Sequence, residues 1–380
     1  MLSTGKIAED ISKVAIKHGW TTYTAWGRFA KSSVSTQIRI GSKFDTYIHY
    51  IAHKLFDYEG LASKRATRKL IYRIKEIKPN IIHLHNIHDH YINYPILFDY
   101  LAKSNIPIVW TLHDCWTFTG GCMYYDQLNC YKWETECKEC QEHRALFNDT
   151  TEKQYALKRD LLAKINHLYY VPVSNWLADA LSKSHQKVRP SITIHNGIDL
   201  SIFKPIQNKT RTNYFQILGV AAVWDKRKGL DDFIRLRKML PSEYKITLVG
   251  LNSEQIKSLP KEIHGITRTT NVHELVQLYS FSDVFVNPTY SDNFPTTNIE
   301  AIACGTPVIT YNTGGSPEAI DEKTGIVIEQ GNIIALANAI INMKEHPLSS
   351  KDCRLRAEKY FDKDKCFEKY MDLYNNLLQK

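Results

Sequence analysis

Residues 291–309 read SDNFPTTNIEAIACGTPVI, and the pattern around them indicates how the chain folds. The run before it, DVFVNPT, has the β-branched and aromatic composition of a short buried strand. Pro295 suits the first turn of a helix, so the chain makes the strand-to-helix step from which parallel sheets are built. Glu300 then falls on that helix among apolar neighbours, where an unpartnered polar group costs roughly 2–7 kcal/mol. A polar partner should therefore meet Glu300.

Length and composition describe a two-domain globular protein. The chain has 380 residues, a length that exceeds the usual size of one core. Of these residues, 43% are hydrophobic and 23% are charged. No apolar run approaches the ~20 residues of a membrane-spanning helix, and acids stand where a signal peptide would be apolar. We therefore expect a cytoplasmic protein. The net charge of +9 suits anionic ligands or peripheral contact with the anionic inner face of the plasma membrane. The basic residues are dispersed, which argues against nucleic acid as a partner.

Strand-like and helix-like runs alternate along the whole chain, which is typical of α/β domains with parallel sheets. We expect two Rossmann-like, doubly wound domains that face a common cleft: residues 1–190, residues 191–360, and a last helix within 361–380 that returns to the first domain. The expected strands of the first domain are 21–25, 81–84, 108–112 and 168–173. Those of the second are the runs YFQILGVA, KITLVG, DVFVNPT, PVITY and GIVIEQG.

The second domain carries a candidate anion site. The helix start at Pro295 offers backbone amides and a positive dipole end to a phosphate, and Glu300 could accept hydrogen bonds from a ribose diol. Asp292, just before the helix, could hold the hydroxyls of an attached sugar. Upstream, the turn that contains Lys228 follows another strand, and a cation there can neutralise a departing diphosphate without a metal cofactor. Downstream, TYNTGGSPEAI puts a glycine pair where backbone can approach a ligand closely.

The order and spacing of these pieces resemble glycosyltransferase family 4, whose members have the GT-B fold and retain the anomeric configuration. The resemblance spans residues 219–318 most clearly. Asp292 and Glu300 match the paired acids of the family, although an Asp replaces the more frequent Glu at the first position. Lys228 matches the phosphate lysine. Val223 stands where the family commonly has an arginine, and we expect Arg227 to substitute for it.

The first half of the chain extends the resemblance to the exopolysaccharide branch, which includes colanic acid glycosyltransferases. The segments STGKI, IIHLHNIHDHYIN and WTLHDCWTFTGGC carry it. His113 and Asp114 follow a predicted strand and should face the cleft, and the family's corresponding histidine lies in its active site. We place His85 and Asn86 on the acceptor side as well. Three further histidines stand close to His85 in the sequence, namely His83, His88 and His90. We interpret them as structural residues rather than as metal ligands.

The resemblance therefore implies a full set of site residues. The catalytic candidates are His113, Lys228, Asp292 and Glu300. The acceptor-side candidates are His85, Asn86 and Asp114. The donor-binding candidates are Gly5, Arg227, Lys228, Asn293, Phe294, Pro295, Thr296, Thr297 and Glu300.

Five of the eight cysteines lie in the loop 115–141, and the last four of them form a cluster that ends in a C-x-x-C motif. Four thiolates so close in sequence suit a structural zinc ion, and four reduced thiols in a packed loop are the alternative. A catalytic zinc is disfavoured because four protein ligands leave no open position. The candidate ligands are Cys122, Cys130, Cys137 and Cys140.

The resemblance implies a retaining glycosyltransferase of surface polysaccharide biosynthesis, and we expect a nucleoside diphosphate sugar as donor and a glycan or lipid-linked acceptor. A sugar-nucleotide 2-epimerase of the same fold is the first alternative. A non-catalytic binding protein is another. A dinucleotide oxidoreductase is excluded because no G-x-G-x-x-G follows a strand. Asp292 and Glu300 stand on either side of a helix start and need not converge on one bond, so we do not interpret them as a glycoside hydrolase pair.

The N-terminal segment MLSTGKIAED lacks the buried strand that normally opens such a domain. Gly5 would then occupy the turn that leads into the first helix. A third alternative follows from this expectation, namely an inactive, truncated form of a glycosyltransferase that an extension of about 10 to 20 residues would restore.

Overall fold

The computed structural model describes residues 3–28, 32–141, 145–206 and 213–379. The chain divides into two compact units. Unit 1 comprises Met1–Ile194 together with Phe367–Lys380, and unit 2 comprises His195–Cys366. The division thus lies close to the expected boundary between residues 190 and 191. No helix in the described ranges has both the length and the apolar character that crossing a membrane requires.

Unit 1 is an α/β unit with a three-stranded parallel sheet in the order β3-β4-β5 and a separate parallel pair, β1-β2. Its strands are β1 (Tyr23–Trp26), β2 (Thr36–Arg39), β3 (Ile82–Leu84), β4 (Ile108–Leu112) and β5 (Leu168–Pro172). Its helices are α1 (Ser3–Lys17), α2 (Lys43–Phe56), α3 (Lys64–Ile77), α4 (Tyr94–Lys103), α5 (Thr151–Ala163) and α6 (Asn175–Lys183).

The described sheet of unit 1 is narrower than the doubly wound sheet that we expected. Every residue of β4 is buried, as a central strand of a parallel sheet requires. By contrast, no residue of β1 or β2 is fully buried. Strands exposed in this way cannot occupy the middle of a sheet covered by helices on both faces, and they pair with each other instead.

Unit 2 has a six-stranded, fully parallel sheet in the order β11-β10-β9-β6-β7-β8. Its strands are β6 (Phe215–Val220), β7 (Tyr244–Val249), β8 (Ile263–Ile266), β9 (Val284–Asn287), β10 (Val308–Tyr311) and β11 (Gly325–Ile328). The remaining helices are α7 (Leu230–Met239), α8 (Ser253–Ser258), α9 (Val272–Phe281), α10 (Thr296–Ala303), α11 (Ile333–Glu345), α12 (Ser350–Tyr360) and α13 (Lys363–Leu378), the last of which belongs to unit 1 from Phe367 onward.

This strand order makes unit 2 a doubly wound sheet, as expected. The chain starts at β6, builds outward through β7 and β8, and then returns to the other side of β6 with β9. The direction of winding therefore reverses between β6 and β9. In such sheets a crevice opens at the carboxyl ends of the strands where the order reverses, and ligands bind there. The loops after β6 and β9 are consequently the ones that position a site.

Candidate functional site

Lys228 and Asp292 meet at the point where the strand order of unit 2 reverses. Lys228 closes a short 3-10 turn, Lys226–Lys228, in the loop after β6, and Asp292 lies in the loop after β9. The Lys228 ammonium donates a hydrogen bond to Asp292 Oδ2. Their side chains are 16% and 18% exposed, so the pair is partly buried but reachable from solvent. A cation and a carboxylate thus stand together where a ligand crevice is expected.

Gly314 packs against the backbone of Asp292 from the loop after β10. A Cβ at Gly314 would lie 1.9 Å from the Asp292 carbonyl oxygen, and the φ of Gly314 is +52°, in the left-handed region. The next amide, that of Gly315, donates a hydrogen bond of 3.0 Å to the same carbonyl. The glycine pair therefore fixes Asp292 by close backbone contact.

Arg227 is committed to the loop that holds the pair. Its guanidinium donates to the carbonyl oxygen of Ser291 at 2.9 Å, and its own carbonyl accepts the amide of Tyr290 at 2.7 Å. These bonds tie the loop after β6 to the loop after β9. The expected substitution of Arg227 for a phosphate-binding arginine stays a prediction, because this geometry by itself accounts for the residue as a positioning group.

The helix start after Asp292 separates into buried and accessible residues. Asn293, Phe294 and Pro295 are buried, whereas Thr296 and Thr297 are partly exposed in the first turn of α10. The Phe294 ring packs in the core, and its backbone amide donates to Asp292 Oδ1 at 3.2 Å. Pro295 is the N-cap, and no side chain of the described chain caps α10 there. The accessible part of the proposed phosphate site therefore consists of the first turn of the helix.

Glu300 has a partner from the protein itself. The Tyr279 hydroxyl, on α9, donates a hydrogen bond of 3.1 Å to Glu300 Oε2. Tyr279 is fully buried, and this burial followed by the Glu300 charge raises its pKa well above the ordinary value. Sequence reasoning expected a ligand to satisfy Glu300 and missed this tyrosine, because nothing in the spacing of α9 indicates which face meets α10.

Unit 2 contains a second polar pair, His195 and Glu318, that the sequence analysis did not predict. His195 Nε2 lies 2.8 Å from Glu318 Oε2, and the His195 ring packs on Phe294 with 4.9 Å between ring centroids. Both side chains are partly exposed. The segment HNGIDLSIFKP, in which His195 stands first, was interpreted only as a join between domains. A polar residue directly after a strand-like run was the signal that could have identified it.

In unit 1, the structure brings His85 and His113 together as the carboxyl ends of β3 and β4 require. His85 Nδ1 lies 2.9 Å from His113 Nε2, and the two rings stack. Burial lowers the pKa of His113 to about 4 and that of His85 well below its ordinary value, so both imidazoles are neutral at pH 7. Both residues, with Asn86, line one small cavity.

Asp114 also lines this cavity, and each of its carboxylate oxygens has a partner from the protein. It is buried, its Oδ2 lies 2.8 Å from His88 Nε2, and its Oδ1 accepts the amide of Trp116 at 2.9 Å. Burial opposes ionisation of both partners, but their mutual attraction outweighs it: the pKa of Asp114 is lowered and that of His88 is raised. Asp114 is therefore an internal ion-pair residue, and its expected acceptor contact stays a prediction.

His83 has structural partners, in line with our interpretation of the dense histidines. Its Nδ1 lies 2.5 Å from the Tyr374 hydroxyl of α13, and its Nε2 lies 2.8 Å from Thr111 Oγ1. Burial lowers the pKa of His83 to about 3, so the ring is neutral. Tyr374, in the part of α13 that belongs to unit 1, thus holds His83 in place beside His85.

Two further predictions are qualified by the structure. Gly5 lies inside α1, in its first turn, so it does not occupy a separate turn as expected.

The four clustered cysteines line one cavity, but none of the described His, Cys, Asp and Glu side chains form a group of three or more that could hold a metal ion. The Gly120 amide donates to Cys137 Sγ at 3.2 Å. Zinc binding therefore gains no support from the arrangement and stays a prediction that elemental analysis tests.

The chain matches two family models that divide it almost as the structure does. Residues 36–202 match Glycosyltransferase Family 4, and residues 203–360 match Glycosyl transferases group 1. Among curated relatives, the colanic acid biosynthesis glycosyl transferase WcaC of Escherichia coli K12 is 23% identical over 98% of this chain and 96% of its own. The capsular polysaccharide biosynthesis glycosyltransferase CapM of Staphylococcus aureus is 28% identical over 49% of this chain and 54% of its own.

Solved structures share the fold over nearly the whole chain. Sucrose-phosphate synthase from Thermosynechococcus elongatus superposes with a TM-score of 0.75 at 19% identity, covering 98% of this chain and 92% of its own. Anabaena HepE in complex with UDP gives a TM-score of 0.67 at 14% identity, covering 98% and 96%. These likenesses confirm the expected two-domain α/β architecture. The chain therefore belongs to glycosyltransferase family 4 and is a transferase with the GT-B fold.

Proposed function

We propose that this glycosyltransferase moves a sugar from a nucleoside diphosphate donor, with retention of configuration, to a glycan or lipid-linked acceptor in surface polysaccharide biosynthesis. The names of the relatives WcaC and CapM, which refer to colanic acid and capsular polysaccharide, support the pathway class. Structures of HepE with UDP and with UDP-glucose support the donor class.

The observation that carries the donor assignment is the Lys228–Asp292 pair at the winding reversal of unit 2. When the bond between the sugar and the diphosphate breaks, negative charge grows on the leaving diphosphate. A preorganised cation at that position stabilises the charge selectively in the transition state. Lys228 would supply the cation, and Asp292 would hold it in place before the donor arrives and would accept sugar hydroxyls afterwards.

The first turn of α10 would bind the diphosphate alongside Lys228. Backbone amides at a helix start point outward, and the helix dipole favours an anion there. Thr296 and Thr297 are the accessible residues of that turn and would add hydroxyl donors. Glu300 lies further along the helix, and Tyr279 holds one of its oxygens. The Glu300 carboxylate would also accept the ribose hydroxyls.

On the acceptor side, His113 is the residue that we propose to act on the attacking hydroxyl. A neutral imidazole can accept a hydrogen bond or a proton, and burial keeps this ring neutral at pH 7. The contact with His85 orients the ring. Asp114, which pairs with His88, would position the loop after β4 beside His113 at the acceptor side.

A thermal-shift screen against nucleoside diphosphate sugars tests the donor assignment. A true donor at 100 times its dissociation constant should stabilise the protein by about 2.7 kcal/mol. Lys228→Ala should abolish most of that stabilisation, whereas Lys226→Ala, an exposed lysine of the same turn, should keep it. The assignment fails if no nucleoside diphosphate sugar shifts the midpoint, or if both variants respond alike.

Two product analyses test the reaction. Incubation of the donor without acceptor should leave the sugar unchanged at C2, whereas a 2-epimerase would convert it. NMR of the transferred sugar should show the anomeric configuration of the donor; an inverted product would contradict the retaining mechanism.

A further inference from the structure

Helix α2 exposes its apolar face to solvent. Phe44, Tyr47, Ile48 and Ile51 are 69%, 60%, 50% and 37% exposed. Their spacing of three, one and three residues places them on a single stripe of the helix. In a helix that packs only on its own unit, such a stripe faces the core. Here the stripe faces the opposite way.

The inward face of α2 is polar and is fixed by specific contacts. His49 is completely buried, with Nδ1 at 2.8 Å from Ser63 Oγ and Nε2 at 3.1 Å from the Tyr58 carbonyl oxygen. One turn later, His53 Nδ1 lies 2.8 Å from His90 Nε2. Rolling the helix to bury its apolar stripe would break these contacts and leave the histidines exposed. The outward orientation of the stripe is therefore part of the fold.

The apolar surface continues past the end of α2. The Phe56 ring packs 6.0 Å from Tyr58 and 5.9 Å from Phe147, measured between centroids. The amides of Leu146 and Phe147 donate to carbonyls of the last turn of α2, which fixes this neighbouring segment against the helix. Phe56, Tyr58, Leu146 and Phe147 are all exposed. Large groups of exposed apolar side chains typically mark interaction sites, whereas single exposed apolar residues are ordinary.

The neighbouring helix α3 is strongly basic. It carries six Lys or Arg residues against one acid, Glu76, and all six basic side chains are exposed. The helices are close: Ser63, the N-cap of α3, contacts His49 of α2. Arg65 and Lys69 also act on Asp45 in the first turn of α2, since after the hydrogen bonds of Ser42 their charges help to lower its pKa. The basic surface thus adjoins the apolar one.

We propose that α2, the segment 146–147 and α3 form a docking surface for an anionic lipid bilayer. An amphipathic helix lies in the plane of a membrane interface with its apolar side chains among the acyl chains, and nearby Lys and Arg side chains attract anionic headgroups. At 14 residues α2 is too short to span a bilayer, so the contact is peripheral. This inference is independent of the donor and acceptor assignments.

Charge favours a lipid surface over a second copy of this chain. A symmetric dimer through this surface would use the same patch on both copies. The basic side chains of α3 would then face like charges, which disfavours association. A bilayer containing anionic lipid presents the opposite charge, and binding to it does not require a complementary protein surface.

The experiment is co-sedimentation of the full chain with vesicles of phosphatidylcholine alone or with roughly one third phosphatidylglycerol. We expect binding to the anionic vesicles, weakened by salt because the charges are exposed. Lys64→Glu with Arg68→Glu should weaken the partition coefficient about 25-fold or more, since each basic residue near the surface contributes about fivefold. Tyr47→Ser with Ile51→Ser should weaken it about tenfold or more by removing inserted apolar groups.

Matched controls come from exposed residues of unit 2. Lys238→Glu with Lys257→Glu, and separately Ile334→Ser, should bind as the wild type does. Unchanged thermal midpoints verify that every variant is folded. The proposal is overturned if the chain ignores anionic vesicles, binds uncharged vesicles equally well, or binds normally after both surface changes. It is equally overturned if the Tyr47 and Ile51 changes abolish only a dimer seen without lipid.

Discussion

The contact between Gly314 and Asp292 can be tested with a single methyl group. In Gly314→Ala the new Cβ would lie 1.9 Å from the Asp292 carbonyl oxygen, so one backbone must move by about 1 Å to reach even a close contact. The left-handed φ costs about 1–2 kcal/mol with a side chain. Displacement also weakens the hydrogen bond from Gly315 to Asp292, which contributes about 1 kcal/mol. We expect a total loss of about 2–3 kcal/mol in the free energy of unfolding.

The effect on activity should be larger than the effect on stability. A displacement of about 1 Å at a group that positions the substrate reduces rates by about 100-fold. We would measure unfolding in urea and the release of nucleoside diphosphate during transfer. Gly331→Ala is the matched control, because its φ is +75° and its nearest neighbour, Tyr290 Oη, would lie 3.5 Å away. Gly331→Ala should lose only the free energy that a side chain costs at a left-handed φ, and it should keep its activity. If the two variants behave alike, the contact does not hold Asp292 in place.

Two further changes address the buried partners. Tyr279→Phe removes one hydroxyl from Glu300, so we expect donor affinity to fall about fivefold and stability by about 1 kcal/mol, measured by calorimetry and urea unfolding; an unchanged affinity would separate Glu300 from the donor. His88→Asn removes the partner of Asp114. Because the folded pKa of His88 is raised above about 6.5, its stabilisation is complete below that pH and is lost as the pH rises through the folded pKa. The difference in unfolding free energy between wild type and His88→Asn should therefore shrink at alkaline pH, and a constant difference would contradict the ion pair.

The sequence predicts well the parts of the molecule that depend on local pattern. Helix α9 (Val272–Phe281) begins where local chemistry indicates, because the Asn271 side chain caps it by accepting the amide of Glu274. The six-strand order of unit 2 then places the loops after β6 and β9 together. The meeting of Lys228 and Asp292 follows from that order without any knowledge of side-chain packing. Strand β8 was missed because it is a short edge strand with little burial.

The pairs that depend on packing could not be predicted. Which histidine is charged depends on its neighbour: His88 faces a carboxylate, whereas His85 faces another imidazole. Periodicity also fails for α2. A stripe at helical spacing predicts the buried face of a helix, and here the buried face is built around His49. In α2 this exception coincides with the surface that we propose to contact a bilayer.

The two acids of 291–309 are held by different kinds of partner, and this difference bears on their roles. Glu300 accepts from a neutral hydroxyl that an anionic ligand has no reason to attract. Asp292 is paired with a cation that a diphosphate would also attract. When a donor binds, Lys228 would be shared between two anions, and Asp292 would be freed to accept sugar hydroxyls. We therefore expect Asp292→Asn to weaken binding of the nucleoside diphosphate sugar, because an amide accepts less strongly than a carboxylate. Binding of the nucleoside diphosphate without the sugar should be unchanged or tighter, since Lys228 loses its competitor. Titration calorimetry with both ligands measures the two affinities, and an equal loss for both would show that Asp292 only holds Lys228.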